Sequence, residues 1–349
     1  MARNRPRPKK GCLAQAGIIA INLIVIVSLV LLAGYLYQQR AQILDAEKFS
    51  PAGELVDVDG TLMHIQCEGT GSPTIVFESG LGDDSLIWYR VREEVAETTR
   101  TCVYDRIGLG WSEFADTFTS STAVTNRLNT LLENAGESAP FLLVGHSAGG
   151  LYVRQYAEQY PDDVAGLVLI DSAHENQATR LPEEIVALNN GQSTLLTICQ
   201  IAAPFGLPRL LNSADNYISH LDDQPELREQ AASRFYQTHF CAASLQELQS
   251  FNETVRQTTP PESLGNLPIV VLTAGESFSD NLEQMPNGMS INEIRAADTT
   301  WQTMQRELAN LSTDGVQFTV NNAGHHIHLD QPNFVINAIT EMIENIRLE

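Results

Sequence analysis

The chain has 349 residues, 43% of them hydrophobic and 18% charged, with a formal charge of −22. That length and apolar content suit one large domain, or two small ones, around a sizeable core. Residues 49–349 hold 14 Lys and Arg against 41 Asp and Glu, with no lysine after Lys48; such a body repels phosphate backbones and argues against a nucleic-acid partner, its acidity reading as a solvated surface.

The first 48 residues are a different material. Residues 1–15 form a basic tail with Arg3, Arg5, Arg7, Lys9 and Lys10, and residues 16–37 are apolar apart from Asn22, Ser28 and a few small residues. The apolar run matches the hydrocarbon thickness of a bilayer and exceeds that of a signal peptide. An uncleaved single-pass anchor is therefore expected. Only Arg40 and Lys48 follow it closely, so the positive-inside rule keeps the N-terminus cytoplasmic and sends the acidic body outside the cytoplasm. Residues 38–53 read as a polar linker.

"ELVDVDGTLMHIQCEG" comes next, with alternating apolar residues around Asp59-Gly60, the pattern of a tight β-hairpin. "PTIVFESG", "RTCVYDR", "FLLVG", "AGLVLID", "LPIVVLTAG" and "VQFTV" come after it as short buried strands alternating with helical stretches. That alternation predicts an α/β fold, a mostly parallel sheet with helices on both faces. Residues 174–262 interrupt it: they hold amphipathic patterns at helical spacing and no clear strand, and are expected to form a helical cap over the sheet's C-terminal edge.

The chemistry concentrates at "FLLVGHSAGGLYVRQYAEQYP". Gly145-His146-Ser147-Ala148-Gly149 stands between a strand and a helix, where Gly-x-Ser-x-Gly makes a strained turn that lifts the serine hydroxyl above the sheet. The plainer alternative is a glycine-rich loop with an incidental serine. A serine nucleophile needs a base, and "VQFTVNNAGHHIHLDQP" supplies His325, His326 and His328 after the last strand. His325, beside Gly324, is the candidate base; His326 and His328 read as packing or surface residues. No CxxC metal spacing occurs, and no cofactor or metal is expected.

Taken in order, "ESGLG" (residues 78–82), "YDRIGLGWS" (104–112), "VGHSAGG" (144–150), "LVLIDSAHE" (167–175) and "AGHHIHLDQP" (323–332) resemble the α/β-hydrolase family over residues 54–347. The resemblance implies the α/β-hydrolase fold, an eight-stranded sheet whose core spans residues 54–173 and 263–349. It implies Ser147 as nucleophile, His325 as base, and the backbone N–H groups of Leu81 and Ala148 as oxyanion hole. Asp105-Arg106 is similar to a structural pair of the family, and Ser79-Gly80 departs from its commoner His-Gly. The acid is left open among Asp171, at the end of "LVLID", and Asp280 or Glu276, past "LTAG". The implied sheet order sets the strand of Cys67 beside that of Cys102, so the expected disulfides are Cys67–Cys102 and Cys199–Cys241; Cys12 lies at the membrane's cytoplasmic edge.

Anchor, motifs and resemblance together point to a membrane-anchored serine hydrolase cleaving an ester or amide of a small-molecule or lipid-like acyl substrate through an acyl-enzyme. A serine at the elbow disfavours the branches that use an aspartate nucleophile. Acyltransferase and peptidase activities of the family stay open, as does a ligand-binding or receptor module that keeps the fold without turnover. Trp88 and Trp111 could line a pocket or pack the core, and Asn252 begins an Asn-Glu-Thr acceptor pattern too short to weigh.

Overall fold

The computed structural model describes residues 10–117, 120–215, 217–257, 261–275, 277–278 and 288–348. The hairpin forms where Asp59-Gly60 permits it. β1 (Glu54–Val58) and β2 (Thr61–Glu68) pair antiparallel, and the turn residues take φ of 55° and 86°, the left-handed pair that this tight turn requires. The parallel strands are β3 (Thr74–Glu78), β4 (Thr101–Tyr104), β5 (Phe141–His146), β6 (Val164–Ile170), β7 (Ile269–Ala274) and β8 (Gly315–Val320). With β1 and β2 they make one eight-stranded sheet in the order β1-β2-β4-β3-β5-β6-β7-β8. This is the α/β-hydrolase fold.

Alternation along the strands divides the core in two. Val76, Leu143, Leu167 and Leu169 face one side, where they meet α3 (Ser121–Asn134), α4 (Ala148–Gln159) and α11 (Ile291–Ala309) through Leu128, Leu131, Tyr156 and Leu308. Ile75, Phe77, Leu142, Val144, Val168 and Ile170 face the other, against α2 (Tyr89–Ala96) and α13 (Pro332–Leu348). Both faces are covered, which explains why these strands read as continuous apolar runs. Each such Leu, Ile, Val or Phe contributes about 1.5–3 kcal/mol by leaving water.

Between β6 and β7 the chain is helical: α5 (Gln177–Arg180), α6 (Glu183–Val186), α7 (Leu188–Ala202), α8 (Leu207–Leu210), α9 (Pro225–Phe235) and α10 (Phe240–Gln257). A short α12 (Ile327–Asp330) precedes α13. Cys199 of α7 is bonded to Cys241 of α10. Cys67 and Cys102 are register partners on β2 and β4 and are bonded to each other. Closing a loop of 35 residues stabilises the fold by about 4 kcal/mol in the chain-entropy treatment.

Within residues 38–53, read as a linker, the stretch up to Lys48 is helical. α1 runs unbroken from Lys10 to Lys48, about 58 Å at the helical rise. Its most apolar window has a mean hydropathy of 2.8 and is uncovered by the rest of the chain, which makes it a candidate membrane span by length and composition. The polar segment continues the helix because it contains no Gly or Pro before Pro51, consists largely of good helix formers, and finds partners on the cap. Gln38 donates to the Tyr236 carbonyl at 2.5 Å, Gln42 accepts from Thr238 N–H at 2.8 Å, and Asp45 accepts from Arg209 at 2.6 Å.

Candidate active site

The strand register builds the site. His146 pairs with Ile170 at the carboxyl ends of β5 and β6, so the next residue of each chain, Ser147 and Asp171, emerges at the same edge. Ser147 N–H donates to Ile170 O at 3.0 Å, and Asp171 N–H to Leu272 O at 2.7 Å. Both residues are bent away from strand geometry, with φ of 52° at Ser147 and 40° at Asp171. Non-glycine residues held there mark strain that the surrounding structure must enforce. At Ser147 the enforcement is visible in the neighbouring glycines. A Cβ on Gly145 would lie 2.7 Å from the Gly149 carbonyl, and one on Gly149 would lie 2.4 Å from Glu78 O. The elbow packs that tightly against α4 and the end of β3.

His325 lies in the loop between β8 and α12, fixed by Gly324 N–H donating to Asp330 at 2.9 Å and by His146 Nε2 against the His325 carbonyl at 3.0 Å. Its Nδ1 is 2.7 Å from Asp171 Oδ2 and its Nε2 is 2.9 Å from Ser147 Oγ. A neutral ring that donates through Nδ1 carries its lone pair on Nε2, so Ser147 Oγ–H donates to it. Burial pulls the imidazole toward its neutral form, but the hydrogen bond and charge of Asp171, with the charge of Asp83, outweigh it and raise the pKa of His325 above the usual 6.5.

Asp171 is fully buried and faces donors. Oδ1 accepts from Ala274 N–H at 3.0 Å and from Trp301 Nε1–H at 2.8 Å, and Ser277 Oγ lies 3.0 Å from Oδ2. Gln305, one turn after Trp301 on α11, holds the next residue at both ends: it accepts from Ser172 N–H at 3.1 Å and donates to Ser172 O at 2.6 Å. The other two candidate acids, Glu276 and Asp280, lie outside the described residues.

Leu81 and Ala148, the expected oxyanion pair, share one apolar cluster with Leu151, Tyr152 and the α10 residues Phe251 and Val255. The loop of Leu81 is fastened by Arg106. Its guanidinium donates to Glu78 at 2.6 Å, to Ser79 O at 2.8 Å, to Gly80 O at 2.6 Å and to Glu247 of α10. Glu247 also accepts from Gly82 N–H at 2.6 Å. Asp105 accepts from Ser85 N–H and Trp111 N–H and pairs with His64. The Asp105-Arg106 pair is thus structural. Glu247 was not singled out by sequence reasoning, although an acid on the buried stripe of an amphipathic helix (Ser244, Glu247, Leu248, Phe251) is the signal that would have found it. Trp301, Gln305 and Ser277 carry no such local signal.

The remaining histidines and tryptophans sort by packing. His328 is fully buried with its ring 4.6 Å from that of Trp88, and burial pushes its pKa far down, to the neutral form. Trp88 is core, donating through Nε1 to Ser79 Oγ at 3.0 Å. Trp111 packs against His64 and lies under the Arg234 guanidinium. Asn252 lies within α10. Ligand-type atoms of Asp83, His146 and His326 come within 4.8 Å of one another. His146 donates through Nε2, leaving Nδ1 an acceptor 3.9 Å from Asp83 Oδ2. Burial pushes Asp83 up to about 7.

The chain's likeness to known proteins agrees with this fold. The family model described as alpha/beta hydrolase fold matches residues 73–262. The uncharacterized protein YqjL of Bacillus subtilis is 27% identical over 288 residues, covering 82% of this chain and 89% of its own length. Lipase LipV of Mycobacterium tuberculosis is 33% identical over 127 residues, 36% of this chain and 48% of that one. Among solved structures, a thermophilic esterase from Thermogutta terrifontis superposes with a TM-score of 0.55 at 20% identity, over 84% of this chain and 97% of that one.

Proposed function

The chain belongs to the alpha/beta hydrolase family, and we propose that it is a membrane-anchored serine hydrolase acting on an ester or amide through an acyl-enzyme. In this reading Ser147 Oγ attacks the substrate carbonyl while His325 Nε2 takes its proton. The N–H groups of Leu81 and Ala148 hold the developing oxyanion. Collapse of the tetrahedral adduct breaks the bond to the leaving group, which receives that proton from His325. A water then attacks the acyl-enzyme, its proton passing to His325, and the acid leaves with Ser147 restored. Asp171 keeps His325 in the tautomer that both halves need and stabilises the imidazolium.

One observation carries the reading: Ser147, His325 and Asp171 form an unbroken hydrogen-bonded chain, at 2.9 Å and 2.7 Å, at the carboxyl edge of the sheet. The apolar run of α1 supports the anchor, and its flanking charges support an extracytoplasmic body. The apolar floor around Leu81 and Phe251 supports an acyl substrate. A fluorophosphonate probe tests it. The wild-type protein should be labelled and Ser147→Ala should not; an unlabelled wild type would overturn the reading in favour of a non-catalytic binding module.

A further inference from the structure

The cap carries an apolar face that its own fold leaves uncovered. From Ile185 to Pro208 the sequence has no charged residue, in a chain that is 18% charged. Along α7 and α8, Leu195, Ile198, Ile201, Leu207, Leu210 and Leu211 are between 46% and 68% exposed. So many large apolar side chains on neighbouring elements of an otherwise acidic body mark a contact surface.

The position of α1 identifies what covers that face. Val30, Gly34 and Tyr37 share an apolar cleft with Ile201, Phe205 and Leu210. The approach is close, because a Cβ on Gly34 would stand 2.5 Å from the Phe205 carbonyl oxygen. Arg209, the single charge on α8, turns the other way, to Asp45 at 2.6 Å and Gln38 at 3.3 Å. The cap is therefore polar toward the C-terminal end of α1 and apolar toward its span. Taking the span as residues 16–37, Val30 lies about 10 Å inside its outer end at the helical rise. The cap residues that share the cleft with Val30 sit at the depth of the hydrocarbon, not of the aqueous phase.

We infer that the α7–α8 face of the cap is immersed in the outer leaflet, in contact with the acyl chains that surround α1. The inference rests on reading α1 as a membrane anchor. The occupant is lipid because the face is continuous with the apolar surface of α1 itself, where Ile24, Val27 and Leu31 are likewise exposed. Amphipathic elements with an apolar face and a polar reverse bury about 5–10 Å into this layer.

The test uses the full chain reconstituted in phosphatidylcholine vesicles with brominated acyl chains, which quench tryptophan on contact. Four variants each add one tryptophan at an exposed apolar site: Leu29→Trp in the span, Ile198→Trp and Leu211→Trp on the cap face, and Val316→Trp on the edge strand β8. Circular dichroism identical to wild type establishes that each has folded. The added emission at positions 29, 198 and 211 should fall about twofold or more relative to unbrominated vesicles, and that at 316 should not change. Quenching at 29 without quenching at 198 and 211 would overturn the inference and leave the anchor standing; the face would then meet water or a second copy. An unquenched 29 would remove the anchor and the inference together. Equal quenching at 316 would show unspecific adsorption and also overturn it.

Discussion

Replacing Asp171 by asparagine keeps the shape of the side chain and changes one oxygen into an NH2 group. The surroundings dictate where that group goes. Oδ1 receives two donors that cannot turn round, the Ala274 backbone N–H and the Trp301 indole N–H, so the amide oxygen must stay there. The new NH2 then faces His325 Nδ1, where Oδ2 stood at 2.7 Å. Two donors cannot share that contact, and the imidazole must shift its proton to Nε2. That nitrogen lies 2.9 Å from Ser147 Oγ and, once protonated, cannot accept the serine proton. A wrong tautomer of this kind lowers kcat by roughly 10⁴, about 5.5 kcal/mol of transition-state stabilisation. The assay is hydrolysis of a short-chain p-nitrophenyl ester by Asp171→Asn, Asp280→Asn and Glu276→Gln, with intact folding verified by circular dichroism. Only the first should be crippled. An Asp171→Asn enzyme within about tenfold of wild type would refute this reasoning, and a crippled Asp280→Asn or Glu276→Gln variant would move the acid to the loop after β7.

The pH profile is set by the same contacts. In the proposed mechanism His325 works as a base when neutral; burial, which lowers its pKa, is outweighed by Asp171, which raises it above 6.5. The acid limb of kcat/KM should therefore have its midpoint above 6.5, with residual Asp171→Asn activity shifted to lower pH; a wild-type midpoint at or below 6.5 would contradict the assignment. Arg106→Met should leave Glu78 and Glu247 as uncompensated buried charges and destabilise the fold by about 3–5 kcal/mol in urea unfolding, and a loss under about 1 kcal/mol would show that the cluster is not held by this cation.

How far the sequence revealed this arrangement depended on the range of the interactions involved. The parallel strands were legible because burial on both faces writes them as apolar runs, and the Asp59-Gly60 hairpin because its backbone needs two positive φ angles. The elbow was legible because close approach forbids any side chain at Gly145 and Gly149. Asp171 stayed one of three candidates for a physical reason. Nothing beside it in sequence marks an acid whose contacts come from Ala274, Ser277, Trp301 and His325, 103 to 154 residues away. The helical path of Gln38 to Lys48 was not legible for a related reason. Polar composition after an apolar span suggests a tether, and only the cap, far along the chain, offers the partners that keep it helical.

The cluster around Arg106 gives that distant packing a chemical consequence. Glu78 ends β3, the strand that leads into the Leu81 loop, and burial lifts its pKa despite the opposing charge of Arg106. Arg106 joins Glu78, the carbonyls of Ser79 and Gly80, and Glu247 of the cap, while Glu247 reaches back to Gly82 N–H. The backbone on either side of Leu81 is thus tied through one cation to a carboxylate on α10. In the proposed mechanism the Leu81 N–H is an oxyanion donor, which acts only if it is aimed before the charge develops, so its aim depends on where α10 sits. α10 is bonded to α7 through Cys199 and Cys241, and the segment after α7 packs on α1 at Gly34. A displacement of the cap relative to the N-terminal helix would therefore reach the Leu81 loop through these links, so in the proposed reading the anchor acts on catalysis mechanically as well as by location.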